Sequence, residues 1–133
     1  ELVRAETPVV TIFGKSWTLH ATEVLGASLD QNLDMIAESV GWVREQGRTV
    51  VYDAEHYFDG YKADREYALN TLRAAREAGA RDLVLCDTNG GTLTTELLEI
   101  LEDTRDSLAA DPDAPDVTWG TPTTTPSWPW PMR

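Results

Sequence analysis

Between Thr49 and Thr92 the chain reads strand, helix, strand, and that order confines the fold more than any other feature. Thr49-Val50-Val51-Tyr52 and Leu83-Val84-Leu85 are short apolar runs of the kind that parallel sheets bury on both faces. Between them Tyr67, Ala68, Leu72 and Ala75 form one apolar stripe at helical spacing, with Asp64 as the expected N-cap and Gly79 as the expected C-cap. Each strand runs into a polar cluster: Asp53-Ala54-Glu55-His56 after the first, Cys86-Asp87-Thr88-Asn89-Gly90-Gly91-Thr92 after the second. In chains built from repeated strand-helix units, the loops at the carboxyl ends of the strands carry the chemistry, because they vary while the layers beneath stay packed. These two tips are therefore the candidate site.

The same unit recurs upstream and downstream. Pro8 stops a frayed helix over Glu1 to Thr7, and the β-branched run Val9-Val10-Thr11-Ile12-Phe13 predicts a strand that Gly14-Lys15-Ser16-Trp17 leaves. Ser28 with Gln31 makes a capping box for a helix whose stripe is Leu29, Leu33, Ile36, Val40 and Val43, ending near Gly47. Asp59-Gly60 reads as a turn, and Thr94 or Thr95 opens a last helix through Leu97, Leu98, Leu101 and Leu108. Strands starting near positions 9, 49 and 82 are what consecutive right-handed βαβ units produce, so the fold class is α/β.

After Ala110 the composition changes. Six of the seven prolines and three of the five tryptophans fall in residues 111–133, where neither strand nor helix period survives. The expected organisation is an α/β domain over 1–110 and an unstructured, polyproline-like tail over 111–133.

With 133 residues the chain is one domain's worth, short of the roughly 250 that a closed (β/α)8 barrel uses. A formal net charge of −12 repels phosphate backbones and anionic lipid, so neither nucleic acid nor membrane is expected as a partner. Cys86 is the single cysteine, and no stretch has the apolar run of a membrane span or the layout of a signal peptide, which fits a cytoplasmic protein. The start at Glu1, without an initiator Met, suits a piece cut from something longer.

Three stretches then carry a resemblance. Thr7 to Trp17, Tyr52-Asp53-Ala54-Glu55-His56-Tyr57-Phe58-Asp59-Gly60-Tyr61-Lys62, and Leu85 to Thr92 closely resemble the citramalate synthases, within the metal-dependent, acetyl-CoA-condensing TIM-barrel family that also holds 2-isopropylmalate and homocitrate synthases. The resemblance covers residues 7 to 105 and implies a fragment: barrel strands 3, 4 and 5 as three consecutive βα units of a partial barrel. It implies an acyltransferase of isoleucine biosynthesis that condenses acetyl-CoA with pyruvate to give citramalate, homodimeric at full length and inactive as this isolated piece. A divalent metal, Mg, Mn or Zn, holds and polarises the keto acid in such enzymes.

Carried over by position, Glu55 matches the carboxylate near the reacting centre, and Thr88 matches the hydroxyl that binds the keto-acid carboxylate. Asp87 and Asn89 flank Thr88 and are expected to orient it, and Lys15 is a further candidate anion contact. Where some relatives carry an active-site histidine on strand 3, this chain has Thr11. The family's metal ligands, an Asp in Arg-Asp-Gly on strand 1 and two histidines of His-x-His-Asn-Asp on strand 6, have no counterpart here, so no metal ligand is assigned and no metal is expected on this piece. Plainer readings stand beside these. Glu55 can also be read as a solvated or salt-bridged strand-end acid, Thr88 as a turn cap, His20 and His56 as structural histidines, and Cys86 as a small core side chain, nothing basic flanking it to lower its pKa. A non-catalytic α/β module, or a small binding protein using the Trp/Pro tail, stays open, as does a relative taking another 2-keto acid. Strand 6 is expected near Val117. Back-translating from Gly120 with GC-rich codons and reading from the last base of the glycine codon yields His-Thr-His-Asn-Asp-Ala-Glu-Leu-Ala-Val-Ala, so a shifted frame is expected to explain the tail.

Overall fold

Pro8 follows a 3-10 turn, Leu2–Ala5, and opens β1, Val9–Lys15. The computed structural model describes residues 2–109 and 118–120. Helix α1, Leu29–Glu45, starts on the full capping box: the Gln31 N–H donates to Ser28 Oγ at 3.1 Å and the Ser28 N–H to Gln31 Oε1 at 2.9 Å. Strand β2, Thr49–Glu55, leads through a single residue into α2, Tyr57–Ala63. Asp64 then caps α3, Arg65–Glu77, by accepting the Tyr67 N–H at 3.0 Å, and Gly79 ends it at φ +101°. Strand β3, Asp82–Leu85, α4, Thr94–Ala109, and β4, Thr118–Gly120, complete the order.

The strands form one parallel sheet in the order β1-β2-β3-β4, so each strand-helix unit adds the next strand alongside the last. The period of two along β2 sorts its residues cleanly: Val50, Tyr52 and Ala54 are buried, while Thr49, Val51, Asp53 and Glu55 are only half-buried. Val10, Leu83 and Leu85 join the buried set. They pack with Ile36, Val40 and Val43 of α1, Ala68, Leu72 and Ala75 of α3, and Ile100 and Leu108 of α4. The core is therefore the layer between one face of the sheet and the helices. The other face is uneven: Phe13, in register with Asp53, is 68% exposed.

Three expectations change. Asp59-Gly60 is no turn but lies inside α2, because Gly60 uses its missing side chain for packing: a Cβ there would collide with the Ser16 carbonyl oxygen. Gly14 and Lys15 remain in β1, whose ladder continues to the Lys15–Glu55 pair of positions. A fourth strand lies at Thr118–Gly120, beside the expected start of strand 6 and inside the stretch taken for a tail without regular elements. The remainder of 110–133, with its shifted-frame reading, lies outside the described residues. Among those described, no helix is long and apolar enough to cross a membrane.

Candidate functional site

Parallel register brings the carboxyl ends of β1, β2 and β3 to one edge of the sheet. There Lys15, the last residue of β1, lies across from Glu55, the last of β2, and its ammonium is ion-paired with the Glu55 carboxylate. Two residues before Glu55, on the same face, Asp53 accepts the Cys86 thiol at 2.6 Å. Burial, reinforced by the Asp53 hydrogen bond and by the Asp53 and Glu55 charges, pushes that thiol up to about 12. Cys86 is thus a protonated, buried thiol at neutral pH, as its sequence setting implied, and not a nucleophile.

The tips of β2 and β3 are joined through one residue. His56 takes the left-handed conformation, φ 56° and ψ 34°, uncommon for a residue with a side chain. That turn points its N–H at Thr88 Oγ1, 2.9 Å away, while the Tyr57 N–H donates to the Cys86 carbonyl at 3.1 Å. Since Thr88 Oγ1 already accepts a hydrogen bond, its own O–H proton is left to donate, the polarity that an anionic ligand oxygen needs. The His56 ring is held in turn: Nδ1 lies 3.2 Å from Asp59 Oδ2, and the Asn89 amide donates to the same oxygen at 2.9 Å.

Asp87 and Asn89 do different work from each other. Asp87 accepts the Thr92 N–H at 3.3 Å and the Thr92 hydroxyl at 3.0 Å, so its carboxylate closes its own loop. Lys62 donates to Thr92 Oγ1 at 3.3 Å and pairs with Glu96 at 3.6 Å, fixing that loop to α2 and α4. Asn89 instead ties the loop back to Asp59 on α2.

An aromatic group adjoins the His56 side of this edge. His20 meets His56 edge-on, 4.5 Å between ring centres and 82° between planes, and Trp17 lies 4.9 Å from His20 and 6.0 Å from His56. Burial, then the neighbouring His56 and Lys15, hold His20 below the ordinary histidine range against the pull of Glu55 and Asp59. Its Nδ1 is buried without a hydrogen-bond partner. Thr11 sits lower on β1, exposed and away from the tip.

Of the residues singled out in the sequence, Lys15 and Glu55 meet directly, Thr88 joins them through the His56 backbone, and Asp87 and Asn89 organise the loop. Sequence reasoning read His56 as a structural histidine and gave Asp59 and Asp53 no role at the site. A histidine following the strand-end acid, with an aspartate three residues on, was the available signal. Among the described residues no group of three or more His, Cys, Asp or Glu side chains is arranged to hold a metal ion.

No family model matches the chain. It is 58% identical over 99 residues to an (R)-citramalate synthase of Aquifex aeolicus, covering 74% of this chain and 19% of that protein. It is 54% identical over 110 residues to an (R)-citramalate synthase of Synechocystis sp., covering 83% and 20%. A third, from Sulfolobus acidocaldarius, is 53% identical over 102 residues, covering 77% and 20%. The chain thus spans about a fifth of the length of the curated relatives it matches.

Proposed function

The chain belongs to the citramalate synthase family, and on that footing we propose that it is a three-unit arc of a TIM barrel supplying the keto-acid side of a condensation between acetyl-CoA and pyruvate. The observation that carries this reading is the junction of the β2 and β3 tips, where Thr88 Oγ1 accepts the N–H of His56, the residue that follows the strand-end acid Glu55. Thr88 would donate to the carboxylate of the keto acid, and Asn89 and Asp87 would hold its loop through Asp59 and Thr92. Glu55 would stand near the reacting carbon, its charge directed by Lys15, which would also offer a positive field to an anionic substrate.

A divalent Mg, Mn or Zn ion, when bound in the complete enzyme, would polarise the ketone. Among the described residues no group of side chains forms a site for it. The isolated chain is accordingly inactive and gains the activity within a longer polypeptide, a homodimer in the cytoplasm. The test is citramalate formation from pyruvate and acetyl-CoA, followed by release of free CoA. A complete polypeptide carrying this stretch is expected to turn over and to lose activity in Glu55→Gln. Absence of citramalate from the complete polypeptide, or full activity in Glu55→Gln, would overturn the reading.

A further inference from the structure

Along α1 the buried stripe of Ile36, Val40 and Val43 reaches back one turn to position 32, where an asparagine stands in place of an apolar residue. Asparagine is a poor helix-interior residue, and its amide is costly to bury unless it is hydrogen-bonded. Asn32 is nonetheless only 2% exposed. Both of its amide hydrogens are taken: Nδ2 donates to the main-chain carbonyl of Lys15 at 2.9 Å and to the Tyr67 hydroxyl at 2.7 Å. A carbonyl can only accept, so the amide nitrogen has to face β1. One side chain therefore joins the fourth residue of α1, the last residue of β1 and the first turn of α3.

The residue after Lys15 is gripped as well. Ser16 is fully buried, its Oγ accepts the Thr71 hydroxyl of α3 at 3.0 Å, and its N–H donates to the Glu55 carbonyl at 3.4 Å. The Lys15 ammonium pairs with the Glu55 carboxylate and lies 5.8 Å from the centre of the Phe13 ring. Among the described residues β1 has no strand on its outer side, so its end would fray without an anchor. A partly exposed ion pair gains little when two long side chains must first be ordered. Fixing the Lys15 main chain removes part of that cost and leaves only the side-chain torsions to settle.

Resting on the condensation reading above, which puts Glu55 near the reacting carbon, we infer that Asn32, backed by Tyr67, is a positioning residue of the site: it fixes the last peptide of β1 and thereby seats the Lys15 ammonium on Glu55. Both amide hydrogens are spent on the Lys15 carbonyl and on Tyr67, so the effect on the ion pair passes through the Lys15 main chain.

The chain has two lysines, Lys15 and Lys62, so amine labelling reads the pair against an internal reference. Reductive methylation of the 133-residue chain at low salt, followed by mass spectrometry, gives the ratio of the Lys15 rate to the Lys62 rate. Glu55→Gln breaks the pair directly and is expected to raise that ratio about 10-fold. Asn32→Ala is expected to raise it nearly as far, and Tyr67→Phe about 3-fold. Tyr67→Phe keeps the ring packed and carries the test where the alanine variant loses its fold. Ile36→Ala, on the same stripe of α1, removes core packing and should leave the ratio unchanged; a merely structural Asn32 would behave in that way too. A wild-type ratio in both Asn32→Ala and Tyr67→Phe, or in Glu55→Gln, would overturn the inference.

In the complete polypeptide, kcat/KM for citramalate formation should fall about 10-fold in Asn32→Ala, yet stay level when Lys15→Met is already present, because the two residues act in series. Equal losses in both backgrounds would overturn the inference and leave the condensation reading intact. A complete wild-type polypeptide that forms no citramalate would overturn the condensation reading, while the labelling ratio would still decide the seating of Lys15.

Discussion

Cys86 shows how a side chain that looks reactive can be silenced by its surroundings. Its thiol is buried against the Asp53 carboxylate, and both effects oppose formation of the thiolate. The folded chain is therefore expected to react slowly with a disulfide reagent at pH 8, and the same reaction should accelerate once urea unfolds it. The sign of the linkage follows. A thiol raised to about 12 in the folded state holds its proton more tightly than in the unfolded chain, so its contribution is complete below the ordinary cysteine range of about 8.5. That contribution is lost progressively as pH rises toward 12, and urea midpoints at pH 8 and pH 10.5 should show a decline that Cys86→Ala lacks. Thr88 gives the complementary case, an exposed hydroxyl whose accepting side is already occupied by the His56 N–H. Thr88→Val keeps the shape and removes the donor. In the complete polypeptide it should raise KM for the keto acid about 10- to 100-fold, the worth of one hydrogen bond to a charged group. An unchanged KM would show that this hydroxyl only closes the turn.

The helices divide by how local their signals are. Ser28 with Gln31, Asp64 before α3 and Gly79 after it were legible in the sequence, because a cap is decided within four residues and needs no knowledge of the tertiary fold. Ser28→Ala should accordingly cost about 1 kcal/mol in urea unfolding, with the helix otherwise kept. Helix α2 was not legible. Its Asp59-Gly60 pair has turn composition, and only the nearness of the Ser16 backbone explains why glycine stands there. Gly60→Ala keeps helical propensity yet drives a methyl into that carbonyl, so it should destabilise the chain by about 3 kcal/mol where propensity alone predicts a gain. The site divides in the same way. Glu55 and Thr88 lie in the polar clusters that follow two apolar runs and were singled out through the family resemblance, whereas the joining of His56 to Thr88 spans 32 residues of sequence and depends on β2 and β3 lying side by side.

The sheet presents its helix-covered face to the core, while its other face ranges from half-buried on β2 to exposed on β1. Val9 is 42% and Phe13 68% exposed on that second face, and β1 has no strand on its outer side among the described residues. Beside that edge runs a largely apolar groove of about 140 Å³, whose lining includes Ile12, Phe13, Leu25, Met35 and Ile36. A bare sheet face of several hundred Å², at ~25 cal/mol per Å², leaves unrealised roughly 10 kcal/mol of burial, comparable to a small domain's whole stability. Open strand edges also offer unpaired N–H and C=O groups to a second chain. Opposing this is the net charge of −12, which keeps copies apart at low ionic strength and loses its reach as salt shortens the Debye length. The isolated chain should therefore melt broadly at low temperature and self-associate in sedimentation at micromolar concentration. That association should increase as NaCl is raised from 20 to 500 mM, figures of the order at which screening becomes strong. Phe13→Lys places a charge on the exposed side of the edge strand without touching the helix-side core, and should shift the distribution back toward monomer. A monomer that unfolds cooperatively at high temperature, indifferent to salt and to Phe13→Lys, would mean that this face is satisfied within the chain, and the description of an open arc of a barrel would fall.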